Sequence, residues 1–496
     1  MGDPTAPGQL RSRTTVHNVR KFLAFVLEKT RRLECHEVQQ VLRQSTMPPA
    51  IALLLGILFI VYLFVTGSRE ETRKSWALWI PLIWLMIAES RPIALWFNVG
   101  PVVQTEMDVI RGNPIDRAIF SILIVFGLLI ILRRGLQEFG KLGTTPWIVL
   151  FLSYCGISLL WSDFQFVAFK RWTKEVGNVV MLLIILSDPE PMEAVRIVIK
   201  RLTYVLVPLS IVLIKYYLDY SRAYNPWTGD VEFVGVATSK NMLGSLCFVC
   251  GIFFLWEFLN ESNRKKRMID ALVLGMIVWL LIKANSATSW ICFFGGCFIL
   301  LGVGFRSVRG NMASIDIFAF LSVVIFVVLE LAFDVGRVLV SSLGRDLTLT
   351  GRTELWAEVL GMVSNPIIGT GYESFWLGDR LVKLWENYWW QPIQAHNGYL
   401  ETYLNLGLIG LGLLMAIIVC CYRDVRRTLM VDFDRGRLHI ALLAVALLNN
   451  LTEAGFKGGN IVWFLFLLTA MEASRISRLQ ILKAWDLQRA RQVNAE

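Results

Sequence analysis

The sequence predicts an all-α integral membrane protein with about 12–13 transmembrane helices and one long polar loop on its outer face. Three observations carry that expectation. Hydrophobic residues fill 55% of the 496 positions at a mean hydropathy of +0.54, and they fall in runs able to cross a hydrocarbon core of about 30 Å. Basic residues gather in short connections between the runs, which is the positive-inside pattern. Eighteen tryptophans and thirty phenylalanines suit aromatic belts at two interfaces. The net charge of +10 therefore reads as topology, and no nucleic acid is expected as a partner.

In chain order, residues 1–48 form a basic N-terminal tail in which Arg20, Lys21, Lys29, Arg31 and Arg32 surround FLAFVL. It suits an amphipathic helix on anionic membrane lipids, with a solvated tail as the alternative, and no cleavable signal peptide is evident. Residues 49–336 read as an N-terminal transmembrane bundle, with apolar runs near 50–66, 75–97, 116–132, 146–161, 175–187, 201–218, 241–259, 269–283, 286–305 and 315–336. Residues 337–395 form the long loop. Residues 396–473 hold C-terminal transmembrane helices near 397–422, 437–450 and 459–473, and 474–496 a basic cytoplasmic tail. The basic connections at 261–267, 306–311 and 422–437 are assigned to the cytoplasm, which puts the loop and the connection 219–240 outside. Thirteen spans would put the basic tail outside as well, against that rule, and the run after Pro48 and Pro49 is the weakest span. No internal repeat is visible. Five of the eight cysteines lie in apolar runs, and the Cys247–Cys250 spacing reads as helix packing rather than redox chemistry.

The loop concentrates the chemistry. A connection this long is costly to order unless it is functional. Of four histidines, His17 and His36 lie in the tail and His439 follows a cytoplasmic connection, so only His396 faces outward. One outer histidine without HExxH or Cys/His spacing gives no histidine-based metal site. A carboxylate set from Glu330, Asp334, Asp346, Glu354 and Glu373 is the weaker alternative, and no metal or cofactor is expected. After His396, Asn397, Glu401 and Asn405 are four residues apart on one helix face. Such a stripe faces protein or a wet cavity, since a charge in lipid costs about 2.5–3.5 kcal/mol. Capping and interhelical hydrogen bonding are its ordinary uses. Gly407, Gly410 and Gly412 on the same segment read as small packing residues.

Arg352, in LTLTGRTELW, has a planar fork suited to diphosphate, with a salt bridge to Glu354 or Asp346 as the ordinary alternative. NPIIGTGY at 365–372 is a tight turn with the pattern of a weak phosphate nest. Trp385, Tyr388, Trp389 and Trp390 would anchor at the headgroup layer or stack on sugar rings. Lys240 and Asn241, in VATSKNMLG, and Lys283, in KANSATS, stand at outer helix ends, where cations would form a basic funnel or simply snorkel.

These blocks resemble the O-antigen ligase and O-antigen polymerase superfamily, which includes exopolysaccharide polymerases. The matching residues are Gly351, Arg352, Trp356, Pro366, Gly369, Gly371, His396, Asn397, Tyr399, Leu400 and Glu401, with KN-x-LG at 240–244, NLTEAGF around Glu453, and short pieces SRP at 90–92 and LWS at 160–162. The resemblance implies a GT-C-type glycosyltransferase in the bacterial inner (cytoplasmic) membrane, with its active site facing the periplasm. It would be metal-independent and would use a glycan on undecaprenyl diphosphate as donor. Arg352 and His396 map onto the family's essential arginine and histidine. Many relatives carry an R-G before the KN motif where this chain has Val234-Gly235, so Lys240 or Arg222 is the substitute expected for a second diphosphate cation. Asn241, Asn397, Tyr399 and Glu401 complete the expected substrate-binding set.

The chemistry expected is attack by an acceptor hydroxyl at the anomeric carbon with inversion. Arg352 and Lys240 would neutralise the leaving diphosphate, and His396 would accept the proton or bind the diphosphate. The acceptor would be another lipid-linked glycan or lipid A core, and polysaccharide assembly proteins are possible partners. The alternatives are a transporter or flippase of lipid-linked glycans, which would favour internal repeats and broken helices, and a scaffold subunit that would not need the Arg352 and His396 pair.

Overall fold

The computed structural model describes residues 47–68, 75–97, 113–135, 146–225, 229–305, 308, 311–318, 320, 321, 324 and 350–493. Residues Met1–Leu55 and Gly56–Glu496 form two compact units, and of the first only 47–55, which includes the start of one helix, is described. The protein is an all-α integral membrane protein. Its helices are α1 (Pro49–Ser68), α2 (Trp79–Ala88), α3 (Pro114–Arg134), α4 (Pro146–Ile157), α5 (Gln165–Leu186), α6 (Pro191–Tyr216), α7 (Lys240–Asn260), α8 (Arg264–Ala284) and α9 (Ala287–Gly302). They are followed by α10 (Thr350–Gly361), α11 (Asp379–Asn387), α12 (Gly398–Val431), α13 (Phe433–Thr452) and α14 (Ile461–Val493). Strands β1 (Arg222–Tyr224) and β2 (Val231–Phe233) make one antiparallel hairpin between α6 and α7, with Arg222 opposite Phe233.

Local chemistry sets the helix ends. Asn113 caps α3 by accepting from Ile115 N, with Pro114 at the first helical position and Gly135 at the far end. Ser239 caps α7, Asn263 caps α8, Asn397 caps α12 and Asp432 caps α13, each through a side-chain oxygen on first-turn N–H groups. Asn285 ends α8 in the left-handed conformation, so the polar island 283–289 serves as a tight turn into α9.

By length and composition, α1, α3, α6, α7 and α12 are able to cross a membrane. The other anticipated apolar runs fall on shorter or more charged helices, except 315–336, which lies mostly outside the described residues, as does the tail through residue 46. The run at 75–97 is interrupted after Ala88 and resumes as a turn at Ile93–Trp96. Exposed apolar side chains on α1 and α3, including Leu58, Tyr62, Val125 and Phe126, mark lipid-facing surface. The core joins α2 and α4–α9 to α12–α14. Within it α7 and α9 approach closely, because a Cβ at Gly251 would stand 2.6 Å from Phe293 and one at Gly296 only 2.2 Å from Ile252.

Two expected polar ends are helical. The basic stretch 422–437 is not an open connection: α12 runs on to Val431, and only Asp432 separates it from α13. The C-terminal tail continues α14 to Val493. The described part of the long loop is also structured, with α10 and α11 around a separate core of Leu355, Val359, Phe375, Trp376, Leu381, Leu384, Ala395 and Leu404.

The α12 helix breaks at Gly407, where φ is 64° and ψ is −163°. In a continuous helix, Leu408 N and Ile409 N would bond to Leu404 O and Asn405 O. Instead, Leu408 N donates to Pro366 O at 2.9 Å and Ile409 N to Ile367 O at 3.1 Å. The released carbonyls of Leu404 and Asn405 accept from Thr370 N at 3.2 Å and Gly371 N at 2.8 Å. Irregular backbone at this depth is tolerable because protein groups satisfy it. The inserted segment is NPIIGTGY, so the phosphate-nest reading fails: the N–H groups of Gly369, Thr370 and Gly371 bond to Asn365, Leu404 and Asn405. Gly407 is likewise not a packing residue but the break itself. A Cβ at Gly412 would meet nothing within 4 Å beyond its own helix.

Candidate active site

The loop that carries His396 is held by its neighbours on either side. Ala395 donates its N–H to Glu401 Oε1 at 2.5 Å and accepts from Trp356 Nε1 at 2.7 Å. Asn397 follows as the cap of α12, its Oδ1 3.0 Å from both Tyr399 N and Leu400 N. Between these fixed points His396 takes a positive φ of 52°, an uncommon conformation for a side-chain-bearing residue. The imidazole is a quarter exposed. Its Nδ1 stands 3.3 Å from Glu453 Oε2 and 3.3 Å from Gln394 Nε2.

Glu453 is the junction. It follows the last residue of α13, and its other oxygen accepts from Asn241 Nδ2 at 2.7 Å. One residue earlier, Thr452 O accepts from Arg352 Nη1 at 3.0 Å, and Thr452 Oγ1 is 3.0 Å from Thr288 Oγ1 in the first turn of α9. Arg352 and His396, 44 positions apart in the sequence, thus converge on the consecutive pair Thr452 and Glu453. The N-terminal ends of α7, α9 and α12 meet at the same place. Such ends carry unpaired N–H groups and a positive dipole, which favour an anion.

A second group of cations flanks this junction through α7. Lys240, next to Asn241, pairs with Glu232 Oε1 of β2 at 2.7 Å. Arg222 and Lys283 both stack over the ring of Phe233, at 5.8 and 5.5 Å. Arg222 Nε is buried without a hydrogen-bond partner. The hairpin therefore gathers the anticipated basic residues around Glu232 and Phe233. Lys240 is engaged by a carboxylate, which a diphosphate would have to compete with.

The remaining expected residues hold structure. Glu401 accepts from Ala395 N and, through Oε2, from Trp376 Nε1 at 2.9 Å. Asn405 Oδ1 accepts from Ser374 N at 2.8 Å and Phe375 N at 3.0 Å. The polar stripe of α12 thus faces the folded loop. Tyr399 donates to Leu447 O at 3.2 Å and meets the ring of Phe456, and Asn397 Nδ2 reaches Leu451 O at 3.2 Å. Both tie the start of α12 to the end of α13. Trp385 donates to Pro392 O at 3.1 Å, while Trp389 is exposed. The N-terminal motifs also reach this region. Arg91 bonds to Val236 O and Ala237 O just before α7, and Ser162 Oγ pairs with Ser374 Oγ at 2.7 Å. The Tyr372 hydroxyl donates to Glu175 Oε2 at 3.4 Å.

Glu453, Gln394 and Glu232 were not singled out as site residues from sequence. The signal for Glu453 is a lone carboxylate directly after an apolar helix, within NLTEAGF. Lys457 joins the same group, donating to Gln394 Oε1 at 3.3 Å. Among the described residues no group of three or more His, Cys, Asp or Glu side chains is arranged to hold a metal ion; Glu330, Asp334 and Asp346 lie outside them. Cys247 and Cys250 are free thiols buried in α7.

Residues 271–415 match the family model described as O-antigen ligase, a span that takes in Arg352 and His396 and ends before Glu453. The chain is also 27% identical over 331 residues to the exopolysaccharide production protein ExoQ of Rhizobium meliloti (strain 1021). That alignment covers 63% of this chain and 73% of ExoQ.

Proposed function

We propose that this chain is a multi-pass membrane protein of the O-antigen ligase and polymerase superfamily and that it transfers a glycan from undecaprenyl diphosphate to an acceptor hydroxyl. The observation that carries the reading is the convergence of Arg352 and His396 on Thr452 and Glu453, beside three helix N-termini. The acceptor oxygen attacks the anomeric carbon as the bond from that carbon to the diphosphate oxygen breaks, so the configuration inverts. The bonding electrons leave with the diphosphate. With Nδ1–H donated to Glu453, His396 presents Nε2 to take the hydroxyl proton. Arg352 supplies a fixed cation toward the leaving group, and Lys240 and Arg222 stand close by for the second phosphate. No step calls for a metal.

The reading places the protein in the bacterial inner membrane with this site toward the periplasm, in a GT-C-type arrangement. The acceptor is a further lipid-linked glycan or lipid A core, and ExoQ supports polysaccharide production as the setting. The broken α12 is a feature transporters share, but here the segment 366–371 fills the break with backbone hydrogen bonds. The test is transfer by purified protein supplied with a defined undecaprenyl-diphosphate oligosaccharide. A ladder of longer lipid-linked glycans identifies a polymerase, and label on lipid A core a ligase. Donor crossing reconstituted vesicles with no transfer to any acceptor would overturn the enzyme in favour of a transporter.

A further inference from the structure

The far end of α7 holds a charged cavity that the transfer reaction does not use. Asn241 opens α7 at the candidate active site and Glu257 lies in its last turn, roughly 24 Å away along the axis at about 1.5 Å per residue. There a cavity of about 320 Å³ is lined by Glu193, Arg196, Lys200, Arg201, Glu257 and Asp270, among others. That volume is at the lower end of the range for small-ligand sites.

One carboxylate of its wall keeps an unmet oxygen. Glu257 is doubly paired, with Lys200 Nζ at 2.6 Å from Oε2 and Arg196 Nε at 2.8 Å from Oε1. Asp270 pairs with Lys200, 4.0 Å from Oδ1, and is attracted by Lys266, while its Oδ2 is buried without a hydrogen-bond partner. The residue is 1% exposed. A buried carboxylate oxygen left without a donor is costly, and this one belongs to a residue of the cavity wall. The oxygen therefore calls for an N–H donor from outside the chain. The basic side chains of Arg201 and Lys266 also line the cavity, so a ligand bearing both an ammonium and a phosphate matches its charge. Phe64, Thr66 and Gly67, at the end of the lipid-facing helix α1, form part of the same wall. This is the level at which apolar span gives way to headgroups.

We propose that the cavity binds the headgroup of a phospholipid with a primary ammonium, the ammonium donating to Asp270 Oδ2 and the phosphodiester lying toward Arg201 and Lys266. A trimethylated headgroup is discriminated against because it has no N–H to give.

The test uses the full-length protein in detergent. Dihexanoyl phosphatidylethanolamine should raise Tm, dihexanoyl phosphatidylcholine should not, and Asp270→Asn should lose the shift. Equal shifts from the two lipids, or a shift retained in Asp270→Asn, would overturn the proposal. O-phosphoethanolamine producing the full shift would replace the lipid with a soluble ligand, and magnesium chloride alone producing it would replace the headgroup with a cation. A measurement independent of the variant uses wild-type protein in nanodiscs made from equal parts of the two phospholipids with long chains. Mass spectrometry of retained lipid should show several-fold enrichment of the ethanolamine form, and retention in the input ratio would refute the site.

Discussion

Trp356 and Glu401 hold Ala395 through the two peptide groups that flank it. The indole donates to Ala395 O at 2.7 Å, and the carboxylate accepts from Ala395 N at 2.5 Å. One residue on, His396 is held at positive φ. Trp356→Phe removes one of the two holds while keeping an aromatic ring in the core of the loop. Transfer should fall about tenfold, in kcat more than in KM, because a small displacement of a positioned group is costly. The folding cost should be about 1–3 kcal/mol, since Ala395 O is left without its donor. Steady-state kinetics alongside thermal unfolding separate the two, and wild-type kcat would refute the positioning role.

His396→Ala should abolish transfer while the protein remains folded in the membrane, and Arg352→Lys should retain charge but lose the fork that a diphosphate engages. Glu453→Gln keeps the shape of the junction and removes its charge. If Glu453 orients His396 for proton acceptance, transfer should drop on the order of 10²-fold, within the span that general-base assistance contributes. The readout is extension of the lipid-linked donor, with binding of donor measured separately. Unchanged turnover in Glu453→Gln would show that the contact at 3.3 Å is incidental.

Gly407→Ala should strongly destabilise the protein. The residue sits at φ 64°, and a Cβ would lie 2.3 Å from Ile367 O. The left-handed penalty alone is about 1–2 kcal/mol, and the backbone clash adds to it. Gly412→Ala, on the same helix where an added Cβ meets nothing within 4 Å beyond that helix, should be neutral or stabilising by up to about 1 kcal/mol. Equal Tm changes for the two would contradict the break.

Asn405→Ala leaves the N–H groups of Ser374 and Phe375 without their acceptor. Each stranded buried donor costs about 1–3 kcal/mol, so unfolding in detergent should move to clearly lower temperature. Asn405→Asp keeps an acceptor at Oδ1 but sets its second oxygen against Glu401 O, to which Nδ2 now donates at 2.9 Å, so it should not restore the lost stability.

Much of this was legible in the sequence. Hydropathy located the helices, since each apolar run that falls on described residues coincides with one, and the GR and HN-x-YLE blocks pointed to Arg352 and His396. What the sequence hid was long-range pairing. NPIIGTGY has the look of a surface turn, and nothing local reveals that its backbone completes α12 nearly forty residues later. Gly407 sits among leucines in a pattern that also fits close helix packing, and only its dihedral angles separate the two uses. Glu453 looked like a family feature without a role until three elements were seen to end on it. The basic stretch after Tyr422 carried the composition of a connection, yet its residues are mostly good helix formers, and α12 simply continues through them.

The insertion of 366–371 into α12 also fixes an order of events during synthesis. The turn leaves the ribosome roughly forty residues before Ile409, which at about 5–20 residues per second is a lead of about 2–8 s. Over that interval its partners on α12 are missing, although Tyr154, which bonds to Ile368 O, has already been made. The carbonyls of Leu404 and Asn405 then emerge into an environment where unmet backbone groups cost several kcal/mol each. The bonds that replace the straight-helix pairs of Leu404, Asn405, Leu408 and Ile409 form only when the turn docks. Commitment to the final structure would then be that docking step rather than membrane insertion, and a pulse-chase experiment should find 365–371 acquiring protease resistance after the spans are already in place.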